Sequence, residues 1–197
     1  MSSRAGILKG IKKLELEESS YPVYDFSGSA AEVNTQKFFE LLALIGGSGV
    51  SLENTQEIAE RIKTLPYYQE QLKIYSEIPG LSLANVSLEQ FAQAKELYQI
   101  GLAIVRGEIA VQENGAIWVN PQNYKHRAIL FAAEHLIIVV SRKNLVLNME
   151  QAYSKIDLTK NQTGYFIAGP SKTADIEQCL VIGAQGAKSL NVFLTND

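Results

Sequence analysis

The stretch from residue 164 to residue 177 constrains the fold of this chain more than any other, because it combines a strand-like run, a turn and helix-capping residues. Tyr165 to Ala168 is a short apolar, β-prone run of the kind that forms a buried strand. Gly169 and Pro170 then end the strand, since glycine adopts backbone angles that other residues avoid and proline lacks an N–H donor. The pattern predicts a buried strand followed by a tight turn.

The residues after this turn predict a helix that runs to Gly183. Ser171 and Thr173 are candidate N-caps, and Asp175 lies in the first turn, where a carboxylate favours the positive end of the helix dipole. A helix that starts directly after a strand leaves its first N–H groups free to bind an anion. We therefore predict a small-anion site, for which the alternative is a turn that Asp175 caps by itself. The residues assigned to this site are Gly169, Pro170, Ser171, Lys172, Thr173 and Asp175.

The rest of the chain alternates strand-like and helix-like segments. The clearest buried strand runs from His135 to Val140, and other strand-like runs cover residues 97–105, 116–119 and 190–194. A helical turn is predicted over residues 108–111. Strands that alternate with helices predict an α/β domain with a mostly parallel sheet flanked by helices. The longer predicted helices begin at the capping residues Asn34, Asn54 or Thr55, Ser87 and Asn148.

A length of 197 residues, with 46% hydrophobic and 20% charged residues, is typical of one globular domain with a sizeable core. We divide the chain into an amphipathic helix over residues 1–19, a linker over 20–33 and an α/β domain over 34–197. A net charge of −3 lacks the basic field that nucleic acid requires. No apolar run is long enough for a signal peptide or a membrane span, so we expect a cytoplasmic protein with neither a nucleic-acid nor a membrane partner.

The N-terminal segment carries an apolar stripe on a basic helix. Ile7, Leu8, Ile11 and Leu14 recur at helical spacing, and basic residues occupy much of the remaining surface. We expect such a helix to dock on a partner or on a second copy of the chain, as in a homo-oligomer. The alternative is a solvated helix that packs loosely on the domain.

Two stretches of the chain resemble a known family. Nine consecutive residues that begin at Gly169, Gly-Pro-Ser-Lys-Thr-Ala-Asp-Ile-Glu, resemble the C-terminal signature of the lactate-utilisation (LUD) domain family, of the lactate utilisation protein C type. Residues 110–115, Ala-Val-Gln-Glu-Asn-Gly, are similar to the family's Ala-Ile-Ala-Glu-Thr-Gly. Arg127 and His135 fall where the family has an arginine and a histidine. Gln185 departs from the pattern, because the family usually has the histidine of Gly-Val-His-Gly-Pro at this place.

The resemblance implies a NagB/RpiA/CoA-transferase-like α/β fold, to which the N-terminal helix is an extension. It also implies that the chain is an accessory subunit of an iron–sulfur lactate-oxidation system and binds a small anionic ligand. The ligand-binding residues would then include Asn114, Gly115, Arg127 and His135. For His135 the alternative is a structural histidine held by hydrogen bonds.

The cofactors of such a system would lie outside this chain. Its single cysteine, Cys179, which we place on the predicted helix as an inert core thiol, cannot hold an iron–sulfur cluster by itself. The two histidines and the scattered carboxylates lack metal-ligand spacing. We therefore expect no cofactor and no metal in this chain, and we expect any iron–sulfur clusters in partner subunits.

Glu113 is the candidate catalytic residue. It lies in a turn that enters a strand, where a carboxylate withdrawn from water can act as a base or a nucleophile. Glu113-Asn114-Gly115 is also similar to the motif that carries the glutamate nucleophile of CoA transferases, so a CoA-transferase-like enzyme is the alternative function. The chain lacks the glycine-rich oxyanion loop that those enzymes share. A structural role, in which Glu113 pairs with Arg127 or caps a nearby turn, is equally open.

Overall fold

The computed structural model of the chain describes residues 3–13, 32–157, 159, 163–176 and 179–196. The chain divides into two compact units, Met1–Ala31 and Glu32–Asp197. In the first unit, helix α1 covers Ser3–Ile11 and is followed by a turn. The rest of the helix predicted over residues 1–19, and most of the linker predicted over 20–33, lie outside the described residues.

A five-stranded parallel sheet is the centre of the second unit. The described strands of this unit, in chain order, are β1 (Ser48–Ser51), β2 (Ile74–Ser76), β3 (Leu102–Arg106), β4 (Ile109–Val111), β5 (Ile117–Val119), β6 (His135–Ser141), β7 (Leu145–Val146), β8 (Tyr165–Ile167), β9 (Lys172–Ile176), β10 (Cys179–Ile182) and β11 (Ser189–Thr195). The central sheet has the order β1-β11-β6-β3-β2, and all of its neighbouring strands run parallel. The α/β fold with a mostly parallel sheet is therefore confirmed.

Short helices flank the central sheet, and two of these helices begin directly after the capping residues that the sequence predicts. The α-helices described in the second unit are α2 (Thr35–Leu44), α3 (Ile58–Lys63), α4 (Ile129–Ala132) and α5 (Met149–Lys155). The Asn34 side chain accepts a hydrogen bond from the Lys37 N–H at the start of α2, and Asn148 does the same for the Gln151 N–H at the start of α5. Within the described residues, every helix is too short or too polar to cross a membrane.

β6 is buried on both faces, which explains why its sequence is continuously apolar. Leu136 and Ile138 face one core, which is shared with α2, α4 and the strands β4 and β5. Ile137 and Val139 face the opposite core, which is shared with α3. Polar side chains on β6 are confined to its two ends. Chemistry that involves this strand is consequently restricted to the two edges of the sheet.

A second sheet contains four strands in the order β7-β4-β5-β8. β4 runs parallel to β7, and β5 runs antiparallel to both of its neighbours. The helical turn predicted over residues 108–111 is therefore wrong, because Ile109 to Val111 form β4. The β-branched side chains of Ile109 and Val111 favour a strand, and all three residues of β4 are buried.

The helix predicted from Ser171 to Gly183 is also wrong. Lys172–Ile176 and Cys179–Ile182 form the antiparallel pair of strands β9 and β10, so Cys179 lies on a strand. Ser, Thr and Asp residues cap helices but also serve in turns and strand ends, and the segment is rich in β-branched residues that lose rotamer freedom in a helix. Pairing between the two halves of the segment outweighs the local capping signal.

The segment between Ser87 and Leu102 differs from the prediction in its helix type and boundaries. In place of one helix from Ser87, the chain forms two 3-10 turns, Leu88–Gln90 and Ala94–Gln99. The strand predicted from residue 97 begins only at Leu102. The glutamate in the second turn, Glu96, accepts hydrogen bonds from the N–H groups of two preceding residues, which stabilises this tighter geometry.

Candidate functional site

We call Gly169 to Lys172 the signature turn; it lies against the C-terminal end of α2. Gly169 has a φ of +74°, and a Cβ atom at this position would collide with the carbonyl oxygen of Ile45. The Lys172 ammonium group donates a hydrogen bond to the same carbonyl oxygen. Carbonyl groups at the end of a helix carry partial negative charge, which Lys172 offsets. The signature turn therefore faces the negative end of a helix, and the positive helix end on which the anion site was predicted is absent from this turn.

Gly115 meets the same end of α2. It has a φ of +69°, and a Cβ atom there would lie 3.0 Å from Cδ1 of Ile45 and 3.3 Å from Cα of Leu42. The Asn114 side chain accepts a hydrogen bond of 3.0 Å from the Ala116 N–H, which closes the turn. The structure thus brings Gly115 together with the signature turn, so the two stretches that resemble the family share one contact.

Ser171 connects the signature turn to the segment that contains Gln185. The Ser171 N–H donates to the Ala187 carbonyl, and the Ser171 carbonyl accepts from the Gly183 N–H, both at 2.9 Å. A Cβ atom at Gly186 would lie only 2.9 Å from Cβ of Ser171, so this glycine permits the close approach. Gln185, at the position where the family usually has histidine, is exposed in this segment.

Glu113 caps a helix in the structure. Its Oε2 accepts a hydrogen bond of 2.8 Å from the Met149 N–H at the start of α5, and its own N–H donates to the Leu147 carbonyl. The side chain is exposed, contrary to the expectation of a carboxylate withdrawn from water. A carboxylate at this end of α5 also interacts favourably with the helix dipole. Capping of α5 is therefore a structural role for the Glu113 carboxylate, and its catalytic role stays a prediction.

His135 belongs to a polar network at the amino-terminal edge of the central sheet, which we call the amino-edge network. Its Nδ1 lies 2.8 Å from the Ser189 hydroxyl, and its ring stacks on the ring of Tyr67 with centroids 3.8 Å apart. The Tyr67 hydroxyl accepts a hydrogen bond of 2.7 Å from the side-chain amide of Asn191. The Oδ1 atom of the same amide accepts a hydrogen bond from the Ser48 hydroxyl. The network joins β1, β6 and β11 to the segment that carries Tyr67, in agreement with the structural role left open for His135.

Burial changes the pKa values of both side chains in the stacked pair. It lowers the pKa of His135 below the usual value, with the Glu134 carboxylate acting in the opposite direction and the Lys188 ammonium adding to the decrease. Burial also raises the pKa of Tyr67 to about 12. The network therefore favours a neutral imidazole beside a protonated phenol.

The remaining predicted residues lie in separate elements. Thr173 and Asp175 are part of β9, and the Asp175 side chain is outside the described part of the structure. Arg127 is exposed in the turn before α4. Among the described residues, no three His, Cys, Asp or Glu side chains lie close enough together to hold a metal ion.

A cavity of about 610 Å³, the amino-edge cavity, lies beside the segment that contains Gln185. Its charged residues, Lys188 and Glu134, form a salt bridge of 2.7 Å. The hydrogen bond from Lys188 lowers the pKa of Glu134, so this carboxylate stays ionised at neutral pH and its charge offsets the ammonium charge beside it. The described residues that line the amino-edge cavity consequently offer no excess positive charge to an anion.

A second cavity, of about 480 Å³, lies at the opposite edge of the sheet and is called the carboxyl-edge cavity. It is lined by the last residues of β3, β6 and β11, which are Arg106, Ser141 and Thr195, and by Asn144. The sequence patterns predict none of these residues as part of a site. One sequence signal could have indicated them: Arg106, Ser141 and Thr195 are each a polar residue at the end of a buried apolar run.

We predict that Gly169→Ala destabilises the protein far more than Gly80→Ala does. Both glycines have positive φ, +74° and +72°, so both substitutions carry the cost of a left-handed alanine, about 1–2 kcal/mol. Only Gly169 would place its Cβ against backbone, whereas nothing lies within 4 Å of a Cβ at Gly80. The clash adds roughly 1–3 kcal/mol. Urea unfolding of the two variants measures the difference, and equal losses of unfolding free energy would contradict the packing of the signature turn on α2.

We also predict that the protein loses stability as the pH falls from 7.5 to 5.5, in part through His135. Its pKa is lower in the folded state than the unfolded value near 6.5, so the unfolded state binds more protons in this window. The stabilisation is complete above the unfolded pKa and declines as the pH falls towards the folded pKa. Urea unfolding at both pH values should show a smaller decline for His135→Gln, and an unchanged decline would contradict the assignment.

Comparison with known proteins gives a consistent family match. The sequence model of the LUD domain family matches residues 46–195 of this chain. Proteins named lactate utilization protein C from Geobacillus kaustophilus (strain HTA426) and Geobacillus thermodenitrificans (strain NG80-2) are 29% identical over 134 residues and 28% identical over 167 residues. These alignments cover 65% and 79% of this chain, but 52% and 66% of the relatives. The chain therefore spans between about half and two thirds of the length of these relatives.

A solved structure shares the fold. The crystal structure of a DUF162 family protein from Deinococcus radiodurans superposes with a TM-score of 0.61 at 14% sequence identity, over 81% of this chain and 94% of that protein. At this identity the similarity supports the fold, and it carries no information about a ligand.

Proposed function

The chain belongs to the LUD-domain family, and we propose that it serves lactate utilisation as an accessory subunit beside iron–sulfur partner proteins. The observation that carries the proposal is the LUD-domain match over residues 46–195, together with relatives that bear the name lactate utilization protein C. A single cysteine leaves cluster binding to partners. The ligand we propose is a small anion, such as the carboxylate of lactate.

Helix α1 supplies a surface for such partners. Ile7, Leu8 and Ile11 are 62%, 48% and 58% exposed, and the helix has no buried residue. Large apolar side chains that are exposed along one stripe are typical of an interaction surface. We propose that this stripe contacts a partner subunit, and a second copy of the chain is the alternative occupant.

The proposed role predicts a growth defect that is specific for lactate. Deleting the gene in its own host should reduce growth and lactate consumption when L-lactate is the sole carbon source, because the lactate-oxidising system would lack a subunit. Growth on glucose should stay unchanged, and a plasmid copy of the gene should restore growth on lactate. Equal lactate consumption with and without the gene would contradict the proposed function.

Partner binding through α1 is tested by affinity capture from lactate-grown cells. The tagged chain should retain proteins that contain iron and acid-labile sulfide, and Ile7→Ser/Ile11→Ser should lose them because the apolar stripe is interrupted. Lys9→Gln, on the same helix, is the matched control and should retain them. Capture that is identical for both variants would place the contact elsewhere, and recovery of untagged chain in place of iron–sulfur proteins would indicate a homo-oligomer.

The alternative function makes a separate prediction at Glu113. Because the Glu113 carboxylate is exposed and accepts the Met149 N–H, we predict that incubation with acetyl-CoA gives no covalent glutamyl adduct. Intact-mass spectrometry of the wild type and of Glu113→Gln measures this directly. A mass increase that is present in the wild type and lost in Glu113→Gln would instead establish CoA-transferase-type chemistry.

A further inference from the structure

We propose that the carboxyl-edge cavity binds a short 2-hydroxy carboxylate, with Arg106 as the residue that holds the carboxylate group. Lactate as the particular acid rests on the proposed function; the site itself rests on the residues that line the cavity. The site differs from the anion site predicted at the signature turn, which faces the negative end of α2.

The position of the cavity is the first argument. Parallel strands of an open α/β sheet place their ligands outside their carboxyl ends, because loops from neighbouring strands diverge there. Arg106, Ser141 and Thr195 end three adjacent parallel strands, β3, β6 and β11. The cavity volume, about 480 Å³, lies within the range of about 300–1,000 Å³ that is usual for small-molecule sites.

The charge of the cavity is the second argument. Arg106 is the only charged residue among the nine described residues that line it. The ion pairs found between described residues do not involve the Arg106 guanidinium group. Glu77 is not among the residues that line the cavity. Its Oε2 accepts hydrogen bonds from the backbone N–H of Arg106 at 2.7 Å and from the Tyr124 hydroxyl at 2.5 Å. The described lining of the cavity therefore contains one positive charge and no carboxylate.

The chemistry of the lining selects the ligand class. The planar guanidinium group of arginine binds a carboxylate through two parallel hydrogen bonds. The Ser141 hydroxyl and the Asn144 amide both donate and accept, as an alcohol group next to the carboxylate requires. Ile78 and Val139 add apolar surface for a short alkyl group. A single cation matches a monocarboxylate better than a phosphate, which carries more charge at neutral pH.

Isothermal titration calorimetry on the full chain tests the site with L-lactate, propionate and inorganic phosphate. We expect L-lactate to bind the wild type, and we expect propionate, which lacks the hydroxyl group, to bind more weakly. Arg106→Gln should weaken L-lactate binding about tenfold or more, since it removes a charge-assisted pair of hydrogen bonds. Arg106→Lys keeps the charge without the planar fork, so its affinity for L-lactate should lie between those of the wild type and Arg106→Gln.

Two further variants and one measurement keep the interpretation clear. Arg61→Gln is the matched control, because Arg61 is an exposed arginine on α3 that does not line the cavity. Arg127→Gln tests the arginine that the family resemblance implies. Thermal melting of every variant should match the wild type, since Arg106 and Asn144 are both exposed. If melting of Arg106→Gln changes, Asn144→Ala takes its place and should also weaken L-lactate binding.

The outcomes separate this site from the proposed function. Equal affinity of the wild type and Arg106→Gln, or loss of binding only in Arg127→Gln, would overturn the site. Tighter binding of phosphate than of any carboxylate would overturn the ligand class. Absence of carboxylate binding in the wild type would overturn the inference, while the growth experiment would still decide the role in lactate utilisation. Lactate binding at Arg106 without a growth defect would leave the site valid and reject the function.

Discussion

Burial of β6 on both faces is the constraint on which the rest of this structure depends. Its apolar side chains pack into two cores, one shared with α2 and α4 and the other with α3. Such a strand can present polar groups only at its ends, because an unpaired polar group in either core would be costly. His135 begins the strand and Ser141 ends it, and each lies among the polar residues of one edge of the sheet. The fold therefore separates an amino edge from a carboxyl edge.

The two edges differ in chemistry. At the amino edge, Nδ1 of His135 pairs with the Ser189 hydroxyl, the imidazole ring stacks on Tyr67, and the Lys188–Glu134 pair cancels its own charge. At the carboxyl edge, the described residues that line the cavity include Arg106 and no acidic residue. Structural polar groups usually have their partners in place, whereas groups that bind a ligand keep part of their capacity free. This contrast explains why the ligand is proposed at Arg106.

The sequence predicts those elements whose local signals agree. α2 and α5 begin at their predicted asparagine caps, and β6 and β11 follow from apolar runs of strand length. The segment after Pro170 is predicted wrongly, because capping residues and β-branched residues there point to different structures and only pairing with β10 decides between them. Gly115 and Gly169 are placed correctly in turns, but the helix end that they contact is distant in sequence. Arg106 and Ser141 come together only through the order of strands in the sheet, which spacing along the chain does not reveal.

The proposed site for a short hydroxy acid lies at the carboxyl ends of the parallel strands. A crystal structure of the protein grown with excess L-lactate would locate the ligand. We expect electron density for lactate in the carboxyl-edge cavity, with both carboxylate oxygens within hydrogen-bonding distance of the Arg106 guanidinium group and the hydroxyl near Ser141 or Asn144. Lactate ordered at the signature turn or in the amino-edge cavity, with the carboxyl-edge cavity free of ligand, would contradict it.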